Sequence, residues 1–169
     1  TLSLLRQIHQ NHEYFKNKKE KYGLKSNNNA QLLSEKKIGI IGFGDLAKSL
    51  LPLLKPFTSR ISAYDPWLKK EFINKYGIKT ISLKKLLKNC DVIYILASVT
   101  AENNEFISLK ELNSVKKGSY IVLMSRAALV NFPDFIKKIK QGDIYAAIDV
   151  FPKEPVPKND PIRKLKNII

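Results

Sequence analysis

The residues best suited to bind a ligand are two glycines in a short turn. Gly42 and Gly44 directly follow the apolar run 38–41, and a helical pattern begins at Asp45. Gly42 permits a tight turn, whereas Gly44 has no Cβ and lets a pyrophosphate approach the backbone. Ala47 is small enough for the helix to pack close to the strand, and the helix N-terminus offers unpaired N–H groups to phosphates. This pattern predicts a dinucleotide-binding turn.

A carboxylate ends the next predicted strand. Asp65 lies about 20 residues after the glycine turn, where an acid can accept hydrogen bonds from the adenosine ribose hydroxyls. It would repel a 2′-phosphate, and no arginine follows it, although Lys69 and Lys70 are near. We therefore predict NAD rather than NADP as the cofactor. The alternative is that the glycines only connect a strand to a helix and Asp65 only begins a turn before Pro66.

Short apolar runs rich in β-branched residues alternate with helical patterns along the chain. The predicted strands are 38–41, 60–64, 80–81, 92–97, 120–123 and 145–150, with the start of another at 167–169. The predicted helices between them are 45–54, 67–76, 83–88, 109–115 and 133–140. Ser82 and Ser108 are predicted N-caps, Pro133 lies near a first turn, and Gly142 closes a helix. Such alternation indicates a doubly wound α/β domain with a mostly parallel sheet covered by helices on both faces.

The first 30 residues differ from this rhythm. A helix is predicted over 1–20, ended by Gly23 and followed by a polar linker at 26–29. Its apolar face consists of Leu4, Leu5, Ile8, His12 and Phe15. We therefore divide the chain into an appended segment, 1–30, and a dinucleotide-binding domain, 31–169. His9 and His12 are interpreted as structural or exposed.

Composition excludes several functional classes. The chain has 169 residues and is 44% hydrophobic, which suits one globular domain. Its apolar runs fall far short of the ~18 residues of a spanning helix, so we expect no membrane partner. The net charge of +15 could indicate nucleic-acid binding, but only four of the 30 basic residues are arginines and the lysines are dispersed. We interpret them as solvated faces and expect no nucleic-acid partner. Cys90 is the only cysteine, which favours a reducing, cytoplasmic location.

Four segments together resemble a known family. Residues 38–65 (IGIIGFGDLAKSLLPLLKPFTSRISAYD) resemble the cofactor-binding start of the D-isomer-specific 2-hydroxyacid dehydrogenases, such as phosphoglycerate dehydrogenase and hydroxypyruvate reductase. Residues 83–95 (LKKLLKNCDVIYI), 116–130 (KKGSYIVLMSRAALV) and 145–157 (YAAIDVFPKEPVP) are similar to the family's later motifs, in the same order. The resemblance implies a Rossmann-like NAD-binding domain of an enzyme that transfers hydride between nicotinamide and a small D-2-hydroxy or 2-keto acid.

The resemblance also implies individual roles. Arg126 matches the catalytic arginine that holds the substrate's carboxylate and carbonyl oxygen, a task suited to a guanidinium. Glu154 matches the acid that hydrogen-bonds the catalytic histidine, and Asp149 matches a residue at the nicotinamide end of the cofactor. Asp45 and Leu46 match the turn residues that meet the pyrophosphate. We also include Ala97, Met124 and Ser125 among the candidate cofactor-binding residues, although packing is the alternative for Met124. No metal ligands are assigned.

Other features of the resemblance concern what surrounds this domain. The family's Pro-His pair follows a strand like 167–169, so we expect the acid/base histidine and the substrate domain to lie outside these residues. We expect a homodimer formed through this domain. The chain departs from the family's usual His, Pro, Asn and Gly at Leu96, Ser98, Leu123 and Ala127, which leaves the substrate open. An NAD-gated protein-interaction module, as in a transcriptional corepressor, is the alternative function.

Overall fold

A six-stranded sheet forms the centre of the fold. The computed structural model describes residues 1–23 and 30–169, so the predicted linker at 26–29 lies outside the described residues. The strands are β1 (Ile38–Ile41), β2 (Ile61–Tyr64), β3 (Lys79–Thr80), β4 (Val92–Ile95), β5 (Ser119–Leu123) and β6 (Ile144–Ile148). They pair in the order β3-β2-β1-β4-β5-β6, and every pairing is parallel. The predicted doubly wound, Rossmann-like α/β fold is confirmed.

The central strands are buried on both faces. Every residue of β1, β4 and β5 is buried, whereas residues of β6 alternate between buried and half-buried. Parallel strands covered by helices on both sides need apolar side chains in both directions, which explains their continuous apolar runs. Two apolar clusters result, one on each face of the sheet.

Seven helices surround the sheet in the described ranges. They are α1 (Leu2–Leu5), α2 (Ile8–Lys16), α3 (Asp45–Leu54), α4 (Lys70–Asn74), α5 (Leu83–Asn89), α6 (Leu109–Asn113) and α7 (Phe132–Lys140). Ser82 caps α5 by accepting a bond from the Lys85 N–H, and Ser108 forms a capping box with Glu111 at α6. Pro133 lies in the first turn of α7, and Gly142 follows it with φ of 74°. These start and stop signals were predicted correctly, because they depend on local backbone chemistry.

Two predicted helices differ from the structure. The helix predicted over 1–20 is broken at Gln7, whose left-handed backbone (φ 53°) separates α1 from α2, and α2 ends at Lys16 rather than near Gly23. Its first part buries Leu4 and Leu5, whereas α2 buries no residue. Helix α4 begins at Lys70 rather than at residue 67, because the backbone before it is held in a turn by Asp65.

The end of the chain adds to the sheet beside β6. The Ala146 N–H donates to the Asn167 carbonyl, the Ile169 N–H donates to the Ala146 carbonyl, and Ala146 forms a parallel bridge with Ile168. The strand predicted to start at residue 167 is thus present as a single parallel bridge to β6.

The strand order changes direction between β1 and β4. After β1 the chain proceeds outward to β2 and β3, then crosses back to β4 on the other side of β1. The loops that leave β1 and β4 therefore diverge and open a crevice at the carboxyl ends of the strands, the usual ligand position in such sheets. Within the described residues, no helix combines the length and the apolar character that crossing a membrane requires.

Candidate functional site

The glycine turn lies at the carboxyl end of β1. Gly42 has φ of 85°, a conformation that side chains with a Cβ rarely adopt. A Cβ at this position would also lie 2.5 Å from the backbone nitrogen of Ala97. Both the backbone conformation and this close approach therefore require glycine. Gly44 precedes α3, and a Cβ there would meet no atom of the described part of the chain within 4 Å. The first glycine therefore closes the turn against β4, whereas the second leaves open space in front of the α3 N-terminus.

Asp65 connects the end of β2 to this turn. Its Oδ2 accepts a hydrogen bond from the Phe43 N–H at 2.9 Å, and its Oδ1 accepts bonds from the Trp67 and Leu68 N–H groups at 2.9 and 3.0 Å. Phe43 is itself fully buried, which fixes the backbone between the two glycines. The carboxylate is thus held at the mouth of the glycine turn, beside the open space that Gly44 leaves.

A cavity of about 320 Å³ lies between the loops that follow β1, β2 and β4. Its wall contains Gly42 and Ala97 together with aromatic and polar side chains. The full set is Ile41, Gly42, Tyr64, Pro66, Trp67, Ala97, Glu102, Asn103 and Phe106. The aromatic residues Tyr64, Trp67 and Phe106 of this lining suit a purine ring, since aromatic side chains stack on base faces.

The sequence analysis assigned no role to several residues of this wall. Trp67 was predicted only as the start of the helix 67–76, yet 54% of it is exposed and it lines the cavity. Asn103 is buried and braces the loop after β4, because its Oδ1 accepts from the Thr100 N–H and its Nδ2 donates to the Ser98 carbonyl, both at 2.7 Å. An aromatic residue directly after the Asp-Pro turn was the available signal for Trp67.

A second cavity, of about 290 Å³, lies between the ends of β4 and β5. It is lined by Leu46, Leu96, Ala97, Ser98, Val99, Ser125 and Arg126. Four of the predicted site residues, from three separate parts of the chain, therefore meet here. Ala97 lines both cavities, so the two form neighbouring parts of one crevice.

Arg126 and Ser125 follow β5 and differ in exposure. Ser125 is buried, and its Oγ donates to the Ile95 carbonyl at 3.1 Å, which ties the end of β5 to the end of β4. Arg126 is exposed, and its Nη1 donates to the Ser125 carbonyl at 2.7 Å. The guanidinium therefore sits on a rigid base with most of its donors available to an anion.

The remaining predicted residues lie at the same end of the sheet. Met124 is 50% exposed after β5, and the exposed Asp149 follows β6, with its N–H donating to the Leu123 carbonyl at 3.0 Å. Leu46 is 55% exposed at the start of α3. Asp45 is almost fully exposed and forms a salt bridge with Lys48 at 3.0 Å.

Glu154 is placed apart from Arg126. Its Oε1 accepts from the Phe151 N–H at 2.7 Å, within the loop that follows β6. Glu154 is not among the described residues that line the cavity beside Arg126. This carboxylate is therefore oriented by its own loop.

Cys90 and the two histidines do not contribute to this edge. Burial, followed by the charge of Asp91, raises the pKa of the Cys90 thiol to about 11, so it remains a protonated thiol at neutral pH. His9 and His12 lie on α2, where Gln10 bonds the Lys166 carbonyl. Because residues 167–169 run parallel to β6, Lys166 is at the amino ends of the strands, opposite the crevice.

These features fit a dinucleotide. The open position in front of Gly44 and the α3 N-terminus suit a pyrophosphate, Asp65 can accept from ribose hydroxyls, and one cavity lies on each side of the turn. The structure thus brings together the glycine turn, Asp65 and Arg126 at one sheet edge.

Comparison with known proteins agrees with this geometry. The model of the family described as "D-isomer specific 2-hydroxyacid dehydrogenase, NAD binding domain" matches residues 1–169. Glyoxylate reductase from Korarchaeum cryptofilum (strain OPF8) is 32% identical over 133 residues, which are 78% of this chain and 40% of that protein.

Two solved structures are also similar. A phosphoglycerate oxidoreductase from Rhizobium etli is 35% identical with a TM-score of 0.92, over 99% of this chain and 54% of that one. An NAD-dependent formate dehydrogenase from Staphylococcus aureus, solved in complex with NAD, is 28% identical with a TM-score of 0.87, over 99% of this chain and 50% of that one. The chain therefore spans about half the length of these proteins or less.

Proposed function

The chain belongs to the D-isomer specific 2-hydroxyacid dehydrogenase family as its NAD-binding domain, and from this premise we propose that the protein interconverts a small D-2-hydroxy acid and the corresponding 2-keto acid. The observation that carries the proposal is the single crevice in which Ala97 joins the cavity beside the glycine turn to the cavity beside Arg126. Such an arrangement puts a substrate-binding cation next to one end of a bound dinucleotide.

Three groups of residues hold the cofactor in this proposal. The turn Gly42–Leu46 holds the pyrophosphate, and Asp65 holds the adenosine ribose. Ala97, Met124, Ser125 and Asp149 surround the nicotinamide end. When bound, NAD supplies the carbon that accepts or returns the hydride. The protein contributes binding, orientation and exclusion of water.

Arg126 binds the substrate. Its guanidinium is permanently charged and can donate two parallel bonds to a carboxylate, or share its donors between carboxylate and carbonyl oxygen. The bond to the Ser125 carbonyl uses one donor and sets the direction of the fork. Because Ser125 is tied to Ile95, the arginine keeps its position relative to the cofactor cleft.

The proton is moved by a histidine that Glu154 orients. The resemblance to the family predicts that this histidine lies outside these 169 residues. Both histidines of this chain lie on α2, at the amino ends of the strands. A carboxylate bonded to an imidazole N–H favours the protonated ring, which can then donate to the carbonyl oxygen of a keto acid. The loop bond from Phe151 orients Glu154 for this task.

We also propose a homodimer that forms through this domain, and the exposed apolar side chains of the appended segment 1–30 support it. Five large apolar side chains in or next to this segment are 48% exposed or more, although such residues are usually buried. They are Leu2, Ile8, Phe15, Tyr22 and Leu32. We further propose that segment 1–30 is appended to a dinucleotide-binding domain, 31–169. A cytoplasmic location is also proposed, and the single free cysteine is consistent with it. The similar proteins reported above are named as oxidoreductases, so the protein-interaction alternative is not carried forward.

The proposal is tested by changing Arg126 in a preparation that joins this domain to its substrate-binding part. With NADH and a panel of 2-keto acids, Arg126→Ala should lower kcat/KM about a hundredfold or more, because it removes a donor to the developing charge. NADH affinity should stay near the wild-type value. The matched control is Arg60→Ala, which removes an exposed arginine at the amino end of β2. Wild-type kcat/KM in the Arg126→Ala protein on its best substrate would refute the proposal. The 169-residue chain alone should bind NADH without turnover.

A further inference from the structure

A third cavity, of about 550 Å³, lies on the outer side of Asp65. It is formed by the end of β2, by β3, and by the first turns of α4 and α5. Its lining consists of Tyr64, Asp65, Pro66, Leu68, Lys70, Lys79, Thr80, Ile81, Ser82 and Lys85. Tyr64 and Pro66 also line the cavity beside the glycine turn, so the two cavities share a wall. A ligand here would lie next to bound adenosine.

The charge of this cavity is strongly positive. Lys70, Lys79 and Lys85 come from three different elements, and all three are exposed residues of its lining. In ranges 1–23 and 30–169, none of these three lysines forms a salt bridge. The single carboxylate in the lining is Asp65, whose two oxygens already accept three backbone N–H groups.

Positive charges that line one cavity attract an anion, and a bound anion would reduce any repulsion among them. The exposed Ser82 hydroxyl lies in the same lining and can donate a hydrogen bond to an oxyanion, whereas the Thr80 hydroxyl already donates to Asn74 Oδ1 at 3.2 Å. Lysine binds phosphate as a point charge and needs no planar geometry, unlike arginine. A phosphate has enough oxygens to bond three donors that approach from different sides.

The geometry points to a phosphate-binding site formed by Lys70, Lys79 and Lys85 beside the adenosine ribose. Two sources could supply the same dianionic group: the 2′-phosphate of NADP, or a separate phosphate anion. The first source rests on the proposed function, because it requires the dinucleotide to bind at Asp65. In that case Asp65 sets the preference for NADH, and the lysines limit how strongly NADPH is rejected.

The test compares two double variants that remove the same charge. Lys79→Gln/Lys85→Gln removes two cavity lysines, and Lys84→Gln/Lys88→Gln removes two exposed lysines of α5 that do not line the cavity. In the first arm, NADH and NADPH are titrated by calorimetry. If wild-type NADPH binding is too weak to measure, both variants are compared in an Asp65→Asn background. In the second arm, thermal unfolding is followed in inorganic phosphate and in chloride of equal ionic strength.

If the 2′-phosphate is the ligand, Lys79→Gln/Lys85→Gln should raise the Kd for NADPH about fivefold, with the Kd for NADH and the control variant unchanged. If a separate phosphate is the ligand, phosphate should raise the Tm of the wild type and the control variant but not that of Lys79→Gln/Lys85→Gln. Phosphate bound at the glycine turn would persist in both variants. Equal responses of the two variants in both arms would overturn the site. Failure of the wild type to bind NADH would contradict the proposed function, while the phosphate arm would still test the lysines.

Discussion

Polar side chains of similar types lie at both ends of the parallel strands, but they form different hydrogen bonds at the two ends. At the amino ends, Asp91 directly precedes β4 and accepts bonds from the Lys37 N–H at 2.8 Å and the Lys116 ammonium at 2.6 Å. Asn167 donates from its Nδ2 to the Ile139 and Ile144 carbonyls at 2.6 and 2.8 Å. Here polar side chains join neighbouring elements to each other.

At the carboxyl ends, polar side chains have fewer partners among the strands. Among the described residues, Arg126 bonds a single carbonyl, Asp149 is exposed, and Gly44 faces open space. Within the same ranges, Asp65 bonds only backbone groups of its own turn and the glycine turn. The comparison indicates that one edge contributes to stability whereas the other keeps donors and acceptors for a ligand, the usual division in doubly wound sheets.

The largest expected effect separates the two glycines of one turn. Gly42→Ala should lower the free energy of unfolding by about 2–5 kcal/mol, because it combines a left-handed backbone with a close approach to Ala97. Gly44→Ala should lower it by less than about 1 kcal/mol, the cost of alanine at an N-cap. It should nevertheless weaken NADH binding about tenfold or more, since its Cβ would occupy the path of the pyrophosphate. Denaturant unfolding and NADH titration check both. Equal losses of stability would show that Gly44 is also needed for folding.

A smaller effect is expected at the opposite edge. Burial alone would raise the pKa of the Asp91 carboxyl, but the bonds from Lys116 and Lys37 outweigh it and lower that pKa from its ordinary value of 3.8. Asp91→Asn should therefore cost about 1–2 kcal/mol at neutral pH. A lowered folded-state pKa gives stability that is present above pH 3.8 and is lost as the pH falls through the lower folded value. The difference between wild type and variant should shrink only in that acidic range.

Denaturant unfolding from neutral pH to strongly acidic pH checks this prediction. Glu71→Gln, an exposed acid in the first turn of α4, is the control and should change stability by less than about 0.5 kcal/mol. NADH affinity should be unaffected by Asp91→Asn because the residue lies at the edge away from the crevice. Weakened NADH binding would contradict the separation of the two edges.

The smallest effect concerns cofactor choice. The wild type should bind NADH more tightly than NADPH, and Asp65→Asn should reduce that ratio about tenfold, since the amide no longer repels a 2′-phosphate. Asparagine keeps one acceptor for the neighbouring N–H groups, so the fold should persist. Calorimetric titration of both cofactors checks the ratio. An unchanged ratio would show that Asp65 acts only in the turn.

Local patterns in the sequence predicted most of the elements that carry the site. The strand 38–41 and the helix 45–54 match the structure residue for residue, because strong β-formers, two glycines and an apolar helical stripe occur in succession. The break at Gln7 was missed, since neither glycine nor proline marks it. Tertiary contacts hold the first turn: Leu4 and Leu5 are buried, and the Thr1 hydroxyl bonds the Tyr94 hydroxyl at 2.6 Å.

By itself, the sequence determined the order of strands and helices, the glycine turn and its acid, and the arginine after the fifth strand, because each depends on residues close together in the chain. Tertiary structure alone decided which of these meet. The strand order brings Ala97 against Gly42, the Asp65 carboxylate against the Phe43 N–H, and three lysines from separate elements around one cavity. Those contacts join residues far apart in the chain, and sheet pairing and helix packing set the distances between them.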